Sequence, residues 1–275
     1  MANTVPPRYA IESDEEEDEI NPLRKRATSK GQAPSEITLK LVGDVLQNKP
    51  LVIASARAGA FWAKGANLGE QTGAVYVNQI QPTWAHEAAN VLISEPFTRL
   101  PLNFMHPYAK YVVEQLKPTR ASLLDTYSSP TYSSLHPIPL TDAPIRYLST
   151  EASQTPNAAI QPFSPPNLIQ STSAALLLQL RLSNIPSTLL LLPSPHLPIP
   201  PPKDLSPTNI PSSTSPEYED TWPAEAMNIA TDGLLSFVEV KPNEGFTWEL
   251  KSKDATAIVS PKQRRSEIGE GGMYL

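Results

Sequence analysis

The sequence predicts an α/β fold: a mostly parallel sheet flanked by helices in a single domain, with a disordered N-terminus and Pro/Ser-rich insertions. Three stretches carry that expectation. In Pro165–Pro193, Ser171 is placed to cap a helix, because its hydroxyl can accept a bond from the unpaired N–H groups of the first turn. Ala174 to Leu182 then run with only Gln179 and Arg181 interrupting, and a helix apolar on nearly every face is expected to be buried on nearly every face. Asn184 and Pro186 stop it, and Ser187–Leu192 is a short apolar run of the kind found in a strand covered on both sides. Leu51–Ser55 (LVIAS) is a second such strand, followed by a small-residue turn, and Leu102–Leu116 places Met105, Tyr108, Tyr111, Val112 and Leu116 at helical spacing before Pro118. For each leucine of the 174–182 helix the core is the simplest destination; a second face left for a partner protein is the alternative.

The remaining elements follow in chain order. Met1 to about Pro34 is an acidic block and then a basic, polar run, expected to be disordered. Its Arg24-Lys25-Arg26 reads as a solvated flank, with a weak nuclear-import patch as the alternative, and Ser13 before Asp14-Glu15-Glu16 fits an acid-directed kinase site that chance also produces. Residues 35–260 form the α/β domain. Ile37–Leu46 is a strand or the approach to one, Ala60–Ala63 lead into a short helix or loop, Gly73–Ile80 is a strand, and Pro82–Ile93 reads as strand-to-helix. Ala121–Leu124 is short and apolar, and Ile145–Leu148 is a strand inside a Ser/Pro/Thr-rich stretch. Pro223–Ser236 returns to helical spacing, whereas Phe246–Val259 suits strand or helix equally. Residues 261–275 are a Gly-rich, polar tail.

Composition sets limits. Of 31 prolines, eight lie between Pro130 and Pro166 and ten between Pro193 and Pro223, so insertions are expected near 128–165 and 193–222. The stretch 193–216 in particular reads as a surface insertion whose removal costs little. The net charge of −6 comes from Glu12 and Asp14–Glu19; without those seven acids, 22 basic residues face 21 acidic ones. A near-neutral body has no field suited to nucleic acid. There is no cysteine, which excludes thiolate chemistry and a disulfide scaffold. No apolar run reaches membrane-spanning length and the N-terminus has no signal-like apolar region, so a soluble protein of the cytoplasm, with the nucleus open to it, is the expectation.

Catalytic signals are weak. His86, His106, His136 and His196 stand in unrelated contexts without metal-ligand spacing. His86-Glu87 begins like a zinc-protease helix, but Asn90 occupies the second ligand position. No phosphate-binding or dinucleotide-binding glycine motif is present, and Gly65–Gly69 lacks the nucleophile of a hydrolase elbow. Ser55–Gly59, a small-residue turn after a strand, could cradle an anion, though ordinary turn sterics explain it better. No cofactor and no metal are expected.

Three features together resemble the proteasome assembly chaperone 1 family, the larger partner of a heterodimeric chaperone of the 20S proteasome. Pro166-Asn167-Leu168-Ile169, then Ala174-Ala175-Leu176-Leu177-Leu178, then Ile185-Pro186 opening Leu189–Leu192, is similar to that family's most recognisable stretch. Lys49–Phe61 resembles its early strand and small-residue turn. An acidic N-terminal block is combined with a chain stopping at hydrophobic–Tyr–any residue, here Met273-Tyr274-Leu275. The resemblance covers about 60 residues and implies no enzymatic activity, pairing with a second assembly chaperone, and docking on the 20S α-ring, with Met273, Tyr274 and Leu275 entering a pocket between α subunits. The alternative in a different class is a nucleotide- or nucleoside-binding α/β enzyme using Ser55–Gly59 as its anion site.

Overall fold

A computed structural model of the chain describes residues 37–43, 45–86, 90–96, 98–134, 138–139, 142–151, 159–206, 220–239 and 247–250. Its elements are β1 (Leu39–Gly43), β2 (Leu51–Ser55), α1 (Ala56–Gly65), β3 (Gln71–Val77), β4 (Ile80–His86), β5 (Val91–Ser94), α2 (Leu102–Leu116), β6 (Ala121–Ser128), β7 (Ile145–Ser149), β8 (Ile160–Pro162), α3 (Thr172–Leu182), β9 (Ser187–Ser194) and α4 (Ala224–Phe237). The strands form one sheet in the order β1-β3-β4-β5-β2-β6-β9-β7-β8. Its centre, β5-β2-β6-β9, is parallel throughout, with Ile53 level with Leu92 on one side and Leu123 on the other, and Leu123 level with Leu189. Antiparallel pairings then extend the sheet through β4, β3 and β1 at one edge and to β7 at the other, where β8 adds a final parallel pair.

The unbroken apolar runs of β2 and β9 follow from two-sided cover. Successive strand side chains point to opposite faces. Leu51, Ile53, Leu189 and Leu191 join a core under α2 and α3, while Val52, Ala54, Leu190 and Leu192 join a second core under α1 and α4. Two helices on each face of a central parallel sheet make the α/β sandwich that the sequence predicts. The second core is closed by aromatic packing. Phe61 stacks on Trp248 and meets Trp222 edge-on, each with ring centroids 5.3 Å apart. Trp248 Nε1 donates to Trp62 O at 2.9 Å, and Trp62 Nε1 to Thr231 Oγ1 at 3.0 Å. Residues 247–250, part of the stretch that suited strand or helix equally, are neither; they are held by these contacts.

Three expectations change. The first is that α3 is not covered all round. Ser171 caps it as expected, accepting from Ala174 N, and Leu176, Leu177 and Leu180 are buried. Leu178 and Leu182, one turn apart on its outer side, are 49% and 67% exposed. The reason is the layer count: α3 lies on one face of the sheet beside α2, and among the described residues no further layer sits above it. Secondly, Pro82–Ile93 contributes two strands, β4 and β5, rather than a strand and a helix. Pro82 is tolerated there because the β3–β4 register slips between Val75 and Val77, a bulge where a missing N–H removes no regular ladder bond.

The third concerns the Pro/Ser-rich run after Leu192. Pro193 and Ser194 complete β9, and the chain beyond them is fastened to the body. Arg99 donates to the carbonyls of Ile199 and Pro200 at 2.9 and 3.1 Å, Trp222 Nε1 donates to Pro193 O at 2.7 Å, and Leu205 packs on the first core. Proline-rich chain forms no ladders of its own, but its carbonyls remain acceptors. Replacing 195–206 with a Gly/Ser linker is therefore expected to lower stability by about 2 kcal/mol, from two lost hydrogen bonds and part of a leucine. A urea melt that does not move would show these contacts to be idle. Residues 207–219 lie outside the described residues.

Candidate functional site

The tail residues Met273, Tyr274 and Leu275 also lie outside the described residues, as do the acidic block, Arg24–Arg26 and Ser13. Among the described residues the topology builds one cleft of about 440 Å³, at the carboxyl ends of the central strands. Its position follows from the strand order. From β2 the chain leaves through α1 on one face and returns as β5 on one side of β2; it then crosses over the other face through α2 to β6 on the other side. Connections that diverge this way leave a crevice beyond the strand ends, where α/β folds place their ligands.

The Ser55–Gly59 turn reaches this cleft but does not make an anion site there. Ala56, at φ +51°, turns the chain from β2 into α1, and no side chain caps the helix at Ser55. Gly59 serves close packing: a Cβ there would lie 2.4 Å from Ala54 O, so only glycine lets α1 sit this tightly on β2. Arg57, the cation that a phosphate would need, faces Asp220 at 3.5 Å.

The cleft's polar lining includes three acids, Glu95, Asp125 and Asp220, together with Arg57 and Arg99. Glu95, just beyond β5, is buried at φ +56°, and its Oε1 accepts from Leu100 N at 2.5 Å. Burial drives its pKa up to about 7, an effect that the bond from Leu100 and the nearby Thr172 hydroxyl only partly offset; the neighbouring Asp125 raises it further and Arg99 lowers it. Asp125 of β6 is buried too, accepting from Thr126 N and from Ser171 Oγ, each at 2.8 Å. Its pKa is likewise raised by burial, against those bonds and Arg99. Asp220 is the third buried acid, bonded by Ser194 Oγ at 2.9 Å and lying 3.4 Å from His196 Nε2. Tyr127, Tyr132 and Phe163 form an aromatic wall with edge-on contacts of 5.4 to 6.3 Å, and Arg146 lies 3.8 Å over the Tyr132 ring.

Sequence reasoning missed Glu95, Asp125 and Asp220. The first two had a signal: VLIS-Glu95 and ASLL-Asp125 are apolar parallel strands each followed or ended by an acid, which places a carboxylate at the mouth of the sheet. Asp220 had none, because its partners come from residues 24 or more positions away. Of the described histidine side chains, those of His106 and His196, only His196 reaches the cleft. Among the described residues, no three His, Cys, Asp or Glu side chains gather as a metal site would require.

No protein-family model matches the chain, and no curated protein matches it by sequence. Solved structures do match in fold. The monoclinic crystal form of Pyrococcus furiosus PbaA, an archaeal homologue of proteasome-assembly chaperone, superposes with a TM-score of 0.51 over 80% of this chain and 88% of its own, at 12% identity. A second crystal structure of PbaA gives 0.49 at 12% identity over 80% and 93% of the two chains. P. furiosus PbaB, an archaeal proteasome activator, gives 0.46 at 8% identity over 74% and 91%. The likeness to monoclinic PbaA shows a shared fold.

Proposed function

We propose that this chain is a non-catalytic chaperone of 20S proteasome assembly, working in the cytoplasm with access to the nucleus. In this reading it pairs with a second assembly chaperone and docks on the α-ring through Met273-Tyr274-Leu275. The observation that carries the reading is the fold shared with PbaA, described as a homologue of proteasome-assembly chaperone, in a chain whose 165–193 unit resembles the eukaryotic family on separate grounds. The tail chemistry fits the role. Met273 is an adaptable apolar side chain, and Tyr274 is a rigid ring with a polar tip. The Leu275 carboxylate can accept a charge-assisted bond worth roughly 1.5–3 kcal/mol. Ordering each tail residue costs about 1–2 kcal/mol, so the tail binds weakly alone and needs the body and the paired chaperone to act with it.

Deleting the last three residues, or adding one glycine after Leu275, is expected to reduce co-purification of α-ring subunits at least tenfold while leaving chaperone pairing and the melting transition unchanged. Undiminished α-ring binding by both variants would remove the tail from the mechanism. The enzyme alternative has one observation in its favour, the cleft at the strand ends, and one against it: three buried acids where a phosphate would sit. Complete absence of α-ring subunits from the purified full-length protein would move the balance to that alternative.

A further inference from the structure

The cleft has a chemistry of its own, unrelated to the tail. Its floor holds Glu95 and Asp125, two buried carboxylates that both feel the positive charge of Arg99, whose Nη atoms also donate to the Pro200 and Ile199 carbonyls, while Arg57 faces Asp220. Thr172, 1% exposed and lining the same cleft, sets its hydroxyl beside Glu95. Around the mouth the lining changes character: Leu168 is 85% exposed, Leu197 67%, and Ile199 lies beside them. Large exposed side chains rimming a recess mark a surface that something else covers.

We propose that this cleft receives a lysine or arginine side chain from an apolar loop of a protein partner, the cation seating against Glu95 and Asp125 while flanking residues of the loop cover Leu168, Leu197 and Ile199. Charge complementarity selects the group. An anion would meet two carboxylates that share the charge of Arg99, whereas an ammonium or guanidinium adds a second positive charge and further charge-assisted bonds. The apolar mouth selects the source. A free small cation would leave the three rim side chains in water, and a loop with aliphatic neighbours on either side would not. Arginine is among the residues enriched at interface hot spots, and charge complementarity across an interface fixes register and partner choice.

The raised proton affinity of Glu95 makes binding depend on pH. The titratable and charged groups facing it are Asp125 from β6, Arg99 from the segment after β5 and Tyr108 from α2. Tyr108 bonds with Thr83 Oγ1 at 2.6 Å and Ser94 Oγ at 3.1 Å, and its pKa is pushed up to about 12, so it keeps its proton throughout. A cation favours ionised Glu95, so affinity should rise about tenfold between pH 6 and pH 8, the change in ionised fraction of a group that titrates near 7.

The test uses the full-length protein and titrates it by calorimetry with the peptide acetyl-Leu-Arg-Leu-amide, its citrulline counterpart and agmatine. The expected result is at least tenfold weaker binding of the citrulline peptide and of agmatine than of the arginine peptide, with the tenfold gain from pH 6 to pH 8. Asp125→Asn should lose at least tenfold, and Leu168→Lys at least fivefold; the second change lies on an exposed side chain and leaves the fold untouched. Equal binding of the citrulline peptide would overturn the cation, and agmatine binding as tightly as the peptide would overturn the protein source. No binding of any probe at millimolar concentration, or normal binding to Leu168→Lys, would overturn the site.

Discussion

Leu177→Asp is expected to unfold the protein at room temperature, whereas Leu178→Asp, one position along the same helix, leaves it folded. The two leucines are chemically identical and differ only in what covers them: Leu177 belongs to the core beneath α2 and α3, and Leu178 stands half in solvent. An unpaired carboxylate at position 177 costs several kcal/mol, and the apolar burial lost with the leucine adds about 2 kcal/mol. Against a total stability of about 5–15 kcal/mol, little folded protein survives. At position 178 the change stays within about 1 kcal/mol, as surface substitutions do. Urea titration followed by far-UV circular dichroism separates the cases. A cooperative Leu177→Asp transition within about 1 kcal/mol of the parent would show that α3 does not sit on the sheet as described. The outer stripe of Leu178 and Leu182 is also where the proposed second chaperone can be sought, and loss of pairing by a folded Leu178→Asp would locate that contact on α3.

The same helix shows what a sequence reveals and what it hides. Its cap at Ser171, its end near Asn184 and the strand after Pro186 are local matters, set by hydrogen bonding within a few residues and by proline's fixed geometry, and all three were legible. Which side of it faces water was not, because its leucines run all round and only the number of layers decides. Pro82–Ile93 failed differently. A proline inside a strand reads as a break until the pairing is known, and the pairing puts the extra residue of the bulge in β4, beside Pro82, where Thr83 to Ile80 spans three residues against two in β3. The cleft was the least legible part. Glu95 and Asp125 meet because β5 and β6 both flank β2, so 30 residues of chain separate two groups that share one site. At Ser55–Gly59 turn sterics were the better reading, and the anion alternative could not be weighed from sequence, because the charged groups of the cleft arrive from other strands.

Glu95→Gln is expected to raise stability at pH 8 by about 3 kcal/mol and to change it little near pH 4.5. The carboxyl's ordinary pKa is 4.5 and burial lifts it to about 7 in the folded chain. Between those values the folded protein holds a proton that the unfolded chain has released. Folding is then coupled to proton uptake, and stability falls as pH rises through this window. Below 4.5 both states are protonated and the group costs nothing; above 7 both are ionised and the full penalty stands, about 1.4 kcal/mol for each unit of the shift. Asp125, raised by burial in the same cleft, acts with the same sign and is present in parent and variant alike. Glutamine keeps an oxygen for the Leu100 N–H and has no charge to bury, and its amide N–H groups have the Asp125 carboxylate as a neighbouring acceptor. Subtracting the two stability curves cancels every other titration to first order. The difference should be flat above pH 7, decline with a slope near one proton down to pH 4.5, and vanish there. Curves that run parallel from pH 5 to pH 8 would mean that Glu95 ionises as freely in the folded protein as in water, and the burial cost assigned to its charge would go with it.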